Sequence, residues 1–252
     1  MCGIFGFKLK RSLNDNDLNK SLKYLNLLKH RGPDNQGYYF DKKNGVFLGH
    51  TRLSIIDLSK KSNQPFIKDN LVIAYNGEVY NYKEIKDDLD DQNFSTNSDT
   101  EVLLSLWKES KIQGLRKIDG MFAFAIYDNK ELFIGTDYFG EKPIYYVNDD
   151  NGFYFSSEPK VLVEFLNLEA SLSNSELEEF ISLGFILSPG TGFVKLKVLE
   201  RNTLIKVGHK NNLESSKIFL IEDIADVNKK MVLTDQDYND FKDIFLRSLK
   251  RR

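Results

Sequence analysis

The sequence has one cysteine and no long apolar run, and both absences restrict what the protein can be. A single cysteine, Cys2, excludes a framework of disulfide bonds within the chain. No apolar segment approaches the roughly 20 residues of a membrane span. The N-terminus also lacks the basic segment and long apolar core of a signal peptide. These absences predict a soluble, cytoplasmic protein.

The chain also has little net charge. Its 252 residues include 35 basic and 37 acidic side chains, which gives a formal charge of −2, and neither sign forms a long block. Nucleic acids and membrane surfaces are therefore not predicted as partners. The three histidines, His30, His50 and His209, lack the spacing of metal ligands, so no metal site is predicted.

Cys2 is the candidate nucleophile because of its position. If the initiator methionine is removed, Cys2 becomes the N-terminal residue and its free α-amine lies within reach of its own sulfur. The α-amine titrates at about 7.7 to 8.0 and a free thiol at about 8.5, so proton transfer between them is nearly isoenergetic. The apolar run over 4–7 predicts a buried strand that holds this terminus in place. The alternative is that a lone cysteine is a small buried hydrophobe.

The elements predicted along the chain mix helices with antiparallel strands. Leucines at helical spacing predict a helix over about 18–28, and Asn44-Gly45 between two β-rich runs predicts a hairpin. Further strands are separated by short turns, which implies antiparallel pairing. We place these strands at 121–127, 131–135, 144–147 and 152–156, and helices at 158–166 and 175–183. The predicted class is α+β, with no alternation of strand and helix.

Two strand-like runs carry polar residues that are candidates for binding. Arg52 interrupts the stretch 50–58 and is either a surface residue or, facing a pocket, a planar fork for bidentate binding of a carboxylate. The run 71–75 predicts a buried strand that ends at Asn76-Gly77-Glu78. This sequence is ordinarily a turn. However, Asn76 and the N–H of Gly77 are also donors of the kind that form an oxyanion hole, and the Glu78 carboxylate lies beside them.

Helix ends supply the remaining candidates. Ser98 and Glu101 predict a capping box at the start of a helix. Asp99, in the first turn, either complements the helix dipole or binds an ammonium group. His30 and Arg31 either end a helix or support the nucleophile.

Together, these segments resemble the class II glutamine amidotransferase domain, most closely that of the glutamine-hydrolysing asparagine synthetases. The matching motifs lie in the family's order over about the first 160 residues. They are Met-Cys-Gly-Ile-Phe-Gly (1–6), His-Arg-Gly-Pro-Asp (30–34), Arg-Leu-Ser-Ile-Ile-Asp (52–57), Tyr-Asn-Gly-Glu-Val-Tyr-Asn (75–81), Ser-Asp-Thr-Glu-Val (98–102), Gly-Met-Phe-Ala-Phe-Ala-Ile-Tyr-Asp (120–128) and Phe-Ser-Ser-Glu (155–158). Thr136 departs from the pattern, because the family usually has arginine there.

The resemblance implies an N-terminal-nucleophile hydrolase fold, a four-layer α-β-β-α sandwich of two antiparallel sheets. It also implies a role for each candidate in hydrolysing the side-chain amide of L-glutamine. By this resemblance, Cys2 attacks the amide, and Asn76 and Gly77 hold the oxyanion. Arg52 binds the substrate carboxylate, and two acidic residues, Glu78 and Asp99, bind its ammonium group.

The synthetase half of the family has no counterpart in this sequence, which contains neither a Ser-Gly-Gly-x-Asp-Ser loop nor a Walker-type phosphate loop. ATP and magnesium are therefore expected only in an absent synthetase part, and no cofactor is expected in this chain. We predict a glutaminase domain over 1–207. A linker and an amphipathic helix over 208–252, capped by Thr234, would lead toward a synthetase subunit or domain.

The ammonia acceptor is left open by the sequence. Aspartate is our first expectation, and a sugar or phosphoribosyl pyrophosphate is the alternative. A non-catalytic binding or regulatory module with the same fold is a third possibility.

Overall fold

Cys2 immediately precedes the first strand, β1 (Gly3–Leu9), which lies in the middle of a six-stranded sheet. In this computed structural model, which describes residues 1–208, 212–219 and 234–251, β1 pairs on both sides. Gly3 is opposite Thr51 in one neighbouring strand, and Phe5 is opposite Ser156 in the other. The predicted buried strand is confirmed, since Ile4 and Phe5 are fully buried.

The described strands and helices agree closely in position with those predicted. After β1, the strands are β2 (Asn35–Asp41), β3 (Val46–Arg52), β4 (Phe66–Lys68), β5 (Leu71–Val79), β6 (Gly120–Asp128), β7 (Glu131–Thr136), β8 (Tyr145–Asn148), β9 (Gly152–Ser156), β10 (Lys197–Val198), β11 (Thr203–Val207) and β12 (Leu213–Lys217). The helices are α1 (Asp15–Leu25), α2 (Tyr82–Asp88), α3 (Asp99–Leu115), α4 (Pro159–Leu166), α5 (Asn174–Leu183) and α6 (Asp235–Arg251).

The strands form two antiparallel sheets with six strands each. One sheet has the order β10-β8-β9-β1-β3-β2, and the other has the order β12-β11-β7-β6-β5-β4. Short turns join β2 to β3, β6 to β7 and β8 to β9, which confirms the predicted antiparallel hairpins. The α+β class predicted from the sequence is therefore confirmed.

The alternating direction of side chains along the strands explains why the two sheets stack on each other with helices outside them. Successive side chains of a strand point to opposite faces. In β1, Ile4 belongs to the apolar cluster between the two sheets, whereas Phe5 packs toward α1 and α4. In β5, Ala74 lies in the cluster between the sheets and Ile73 packs with α2 and α3 on the outer side. These clusters define four layers, helix-sheet-sheet-helix.

Side-chain hydrogen bonds cap the starts of α3 and α5, but in different ways. Ser173 and Glu176 form a capping box at α5. At α3, Ser98 accepts a hydrogen bond from the N–H of Thr100, but the Ser98 N–H donates to Thr96 Oγ1 and not to the Glu101 carboxylate as the box requires. The Glu101 carboxylate instead accepts from the N–H groups of Ser95 and Thr96, at 3.0 and 2.7 Å. The box prediction at α3 was wrong because those nearer donors take the carboxylate.

The last helix, α6, has the predicted cap and an exposed apolar stripe. Thr234 and Asp237 exchange hydrogen bonds at its start. The apolar stripe of this amphipathic helix is exposed in the described structure, and it consists of Tyr238, Phe241, Ile244, Phe245 and Leu249. Ion pairs of Arg251 with Asp119 and Glu84 join α6 to the sandwich. The linker predicted before this helix falls largely on 209–211 and 220–233, outside the described residues.

Candidate active site

One pocket at the start of β1 brings together all the residues singled out from the sequence as catalytic or substrate-binding. It is lined by Cys2, Arg52, Asn76, Gly77, Glu78 and Asp99. These residues come from the start of β1, the end of β3, the second half of β5 and the first residue of α3. The pocket therefore lies at one end of the sandwich, where both sheets and one outer helix meet.

The Cys2 thiol is held by the backbone just after β3. Its sulfur lies 3.4 Å from the N–H of Leu53, which donates to it, and 3.7 Å from the Leu53 carbonyl, to which the thiol donates. Burial raises the pKa of the Cys2 thiol, and the hydrogen bond from Leu53 only partly offsets this. The thiol is therefore protonated near neutral pH, and a base must remove its proton before the sulfur can act as a nucleophile.

Asn76 presents an unpaired amide group to this pocket. Its side chain is 2% exposed, and within the described residues its Nδ2 has no hydrogen-bond partner. Buried polar atoms are nearly always paired, so an orphan donor in a pocket with a cysteine calls for an explanation by function. A role in donating a hydrogen bond to an oxyanion in the pocket would explain why this amide is unpaired.

The prediction that the strand ends at Tyr75 was wrong, because β5 continues to Val79. Asn76 and Gly77 remain in register with Ala123 and Phe122 of β6, so they are strand residues and do not form a turn. At Gly77, an added Cβ would lie 2.2 Å from the Met121 carbonyl oxygen. Close approach of β6 therefore requires glycine at position 77.

Arg52 is 5% exposed, and the loop after β3 wraps around its guanidinium group. Nη1 donates to the Ser59 carbonyl at 3.0 Å and to Asn63 Oδ1 at 2.8 Å. Nη2 donates to the carbonyls of Ile56 and Asp57. Both Nη atoms are thus occupied by the loop, and Nε–H is the donor without a partner among the described residues. The fork predicted for bidentate binding is held in place by its own loop.

Asp99 is buried beside the pocket and is held by β5. Its Oδ2 accepts from the Tyr75 hydroxyl at 3.0 Å and from the Val79 N–H at 3.1 Å. Burial raises the pKa of Asp99 to about 6, and the nearby Glu78 carboxylate adds to the rise, although the hydrogen bonds oppose it. Two carboxylates, Glu78 and Asp99, therefore line the pocket together with the oppositely charged Arg52.

Arg31 contacts the backbone of Cys2, and both His30 and Arg31 contact Glu158 just after the helical segment that ends at Leu28. Arg31 Nε donates to the Cys2 carbonyl at 2.9 Å, and Arg31 Nη1 pairs with Glu158 at 3.1 Å. His30 Nε2 lies 2.9 Å from the same Glu158 oxygen, and its Nδ1 lies 3.0 Å from the Leu27 carbonyl. Arg31 thereby ties the backbone of Cys2 to the start of α4.

Several residues of the site were missed by sequence reasoning. Tyr75, Gln64 and Lys142 line the pocket. Gln64 accepts from the Tyr75 N–H at 2.7 Å and donates to Thr100 Oγ1 at 3.2 Å, so it links β5 to α3. Tyr75 could have been found, because it comes directly before the candidate residue Asn76. Nothing in the sequence around Gln64 or Lys142 indicates that either residue belongs to the site.

Asp137 organises the loop beside the strand that carries the pocket. Its carboxylate accepts hydrogen bonds from four backbone N–H groups, at 3.0 or 3.1 Å, and these belong to Phe122, Phe139, Glu141 and Lys142. Thr136, which stands where the family usually has arginine, is buried and donates to the Lys142 carbonyl at 3.0 Å. The loop is thus supported without an arginine at that position.

The described residues contain no group of three or more His, Cys, Asp or Glu side chains arranged to hold a metal ion. His50 is fully buried, and burial lowers its pKa to about 4, so it is neutral; its Nε2 lies 2.9 Å from the Tyr75 carbonyl. In the part of the chain that the structure describes, no helix combines the length and apolarity needed to cross a membrane.

The fold agrees with what comparison with known proteins shows. A family model described as the glutamine amidotransferase domain matches residues 1–217, and the chain belongs to this family. Glutamine phosphoribosylpyrophosphate amidotransferase from B. subtilis, solved with ADP and GMP, superposes with a TM-score of 0.62 at 21% identity, covering 87% of this chain and 50% of that one. At that identity the likeness shows the fold alone, and it confirms the predicted N-terminal-nucleophile sandwich.

Within the family, the chain is similar to the glutamine-hydrolysing asparagine synthetases, as its motifs predicted. It is 36% identical over 212 residues to a putative asparagine synthetase [glutamine-hydrolyzing] 2 of Methanocaldococcus jannaschii, covering 75% of this chain and 40% of that protein. It is 33% identical over 245 residues to asparagine synthetase [glutamine-hydrolyzing] 1 of Bacillus subtilis, covering 94% of this chain and 37% of that protein. The chain thus spans about two fifths of the length of these relatives.

Proposed function

We propose that this chain is a glutaminase, which hydrolyses the side-chain amide of L-glutamine and supplies ammonia for amide synthesis. One observation carries the proposal. A single pocket holds a thiol, an unpaired buried amide donor, a cation and two carboxylates, at Cys2, Asn76, Arg52, Glu78 and Asp99. A zwitterionic amino acid with a reactive amide at its far end is complementary to that set.

The nucleophile in this proposal is Cys2 after removal of Met1. Its free α-amine takes the thiol proton, and the sulfur attacks the amide carbon of glutamine. The negative charge that develops on the amide oxygen is held by Asn76 Nδ2 and the N–H of Gly77. The C–N bond then breaks, the α-ammonium returns the proton to the leaving nitrogen, and ammonia departs from a γ-glutamyl thioester. A water molecule attacks this thioester, its proton passes through the same amine to the sulfur, and glutamate leaves with Cys2 restored.

The other charged groups hold the two ends of the amino-acid head. Arg52, buried and surrounded by its loop, supplies the positive charge for the α-carboxylate, with Nε–H as the donor that its loop leaves available. Glu78 and Asp99 supply negative charge for the α-ammonium group. Burial strengthens the electrostatic interaction of these groups with the substrate, because the protein interior screens charges less than water does.

We propose aspartate as the final acceptor of the ammonia, which makes asparagine the product of the complete system. Support comes from the relatives, which are named as glutamine-hydrolysing asparagine synthetases. The similarity to the phosphoribosylpyrophosphate enzyme concerns the fold alone and does not favour that acceptor. ATP and magnesium would act in a synthetase part outside 1–207, and residues 208–252 would connect to it.

Glutamate release from L-glutamine by the purified chain tests the proposal, with the intact mass measured to establish loss of Met1. We expect turnover that Cys2→Ala abolishes while the circular dichroism spectrum is unchanged. An uncleaved N-terminal extension should abolish it too, because the base becomes an amide. Wild-type turnover in Cys2→Ala would remove Cys2 from the mechanism, and full activity of the extended chain would require another base.

A further inference from the structure

Asp57 lies in the loop that follows β3, and it contacts both sides of the pocket. Its backbone carbonyl accepts a hydrogen bond from Nη2 of Arg52. Its carboxylate accepts from the Ser59 N–H at 2.9 Å and from the Asn97 N–H at 2.8 Å. Asn97 stands two residues before Asp99, at the start of α3. One residue therefore connects the loop that holds the cation to the segment that carries the buried carboxylate.

The backbone at this position suits aspartate. Asp57 has φ of +53°, in the left-handed region that asparagine and aspartate adopt more readily than most other residues. This conformation directs the carbonyl to Arg52 while the side chain reaches Asn97. The N–H groups of Asn97 and Ser59 hold the pKa of the Asp57 carboxyl well below its usual range, so the side chain stays charged and keeps both bonds.

We propose that Asp57 is a positioning residue that sets the separation between Arg52 and Asp99 and so selects the zwitterionic head of an α-amino acid. This inference rests on the proposed glutaminase function. Substrate carboxylate and ammonium groups are attached to one carbon atom, so the cation and the carboxylate that bind them must stand at a fixed separation. Gln64 forms a second connection, to Thr100, but its described hydrogen bonds go to Tyr75 and Thr100 and not to Arg52. Asp57 contacts the Arg52 guanidinium and the segment leading to Asp99 at once.

The test measures binding to the Cys2→Ala chain, so it does not depend on turnover or on any other subunit. Three ligands compete with radiolabelled L-glutamine: unlabelled L-glutamine, glutaramate, which lacks the ammonium group, and 4-aminobutanamide, which lacks the carboxylate. The variants are Asp57→Gly, which removes the side chain at a φ that glycine tolerates, and the conservative Asp57→Asn. Asp149→Gly is the matched control, because Asp149 also accepts two backbone N–H groups in a turn, at 2.9 and 3.0 Å, but does not line the pocket.

We expect Asp57→Gly to weaken L-glutamine binding about tenfold or more, since two hydrogen bonds to a charged group are lost. Binding of the two ligands with one charged end should weaken by a smaller factor, so that the preference for glutamine over both falls. Asp57→Asn should give an intermediate preference, and Asp149→Gly should leave it unchanged.

An equal loss for all three ligands, or no loss for glutamine, would overturn the inference and leave the glutaminase proposal standing. Failure of the Cys2→Ala chain with native Asp57 to bind glutamine would overturn both. Turnover kinetics of the variants with native Cys2 supply an independent reading, because positioning of the head group should raise KM more than it lowers kcat.

Discussion

The Tyr75 hydroxyl donates to Asp99 Oδ2 over 3.0 Å at the buried edge of the pocket. This bond stabilises the charged form of Asp99 and so opposes the effect of burial on its pKa. Tyr75→Phe should therefore raise the pKa of Asp99 above about 6. If the charged carboxylate binds the glutamine ammonium group, the acid limb of the pH profile of kcat/KM should move to higher pH.

Tyr127→Phe is the matched control for this profile. The Tyr127 hydroxyl donates a 3.1 Å hydrogen bond to Asp41, and neither residue lines the pocket. An acid limb that stays at the same pH in Tyr75→Phe would show that Asp99 does not control glutamine binding.

The raised pKa of Asp99 also has a consequence for stability. Between pH 3.8 and about 6, the folded protein holds the Asp99 proton and the unfolded chain does not, so this group lowers the free energy of unfolding as pH rises through that range. Asp99→Asn removes the ionisation. The stability of the variant relative to the wild type should rise by about 2 kcal/mol from pH 4 to pH 7. Urea unfolding at both pH values measures this, and a pH-independent difference would contradict it.

Loss of the Asn76 amide should affect the reaction more than substrate binding. Asn76→Ala removes the unpaired donor, and we expect kcat to fall about 10²- to 10³-fold with little change in KM. Asn81→Ala is the comparison variant, because the Asn81 amide bonds to the backbone of Lys117 and Asp119, away from the pocket. A large rise in KM with unchanged kcat would assign Asn76 to ground-state binding.

Arg31 should influence the rate although it does not line the pocket. Its hydrogen bond to the Cys2 carbonyl fixes the orientation of the residue whose amine and sulfur both act in the proposed mechanism. For Arg31→Ala we expect kcat to fall about 10- to 100-fold and KM to change little. Arg11→Ala removes an exposed arginine paired with Asp17 and should leave both constants unchanged. Equal kinetics in the two variants would exclude the positioning role.

Substitution of Gly77 should reduce stability and activity together. In Gly77→Ala the new Cβ would meet the Met121 carbonyl, so β5 and β6 must separate, at a cost of about 1–3 kcal/mol. At Gly184 a Cβ meets no atom within 4 Å, although φ is +80°. Gly184→Ala therefore reports backbone strain alone, and we expect it to retain full activity. Thermal unfolding and glutamate release measure both effects.

Most of the fold was predictable because local signals and tertiary packing agree. The alternation at Ile4 and Phe5 follows from the period of a strand, and the Asn44-Gly45 hairpin follows from turn chemistry. Sequence reasoning ended the strand at Tyr75 because Asn-Gly is a common turn. The ladder with β6 overrides that local preference as far as Val79.

The site could be predicted as a set of residues but not as an arrangement. Motif resemblance singled out the six residues that line the pocket. It gave no sign that the Arg52 fork is enclosed by its own loop, since that depends on the left-handed backbone at Asp57. It also missed Gln64, whose contacts join segments that are distant in sequence.

The Asp137 carboxylate changes what has to be moved if this pocket is transplanted into another scaffold. It holds the N–H of Phe122, the residue opposite Gly77, and also the N–H of Lys142, whose side chain lines the cavity. A graft of the six pocket residues alone would therefore lack the Asp137 hydrogen bonds that hold Phe122 and Lys142 beside the pocket. The smallest transferable unit includes the 136–142 loop together with the strands it joins.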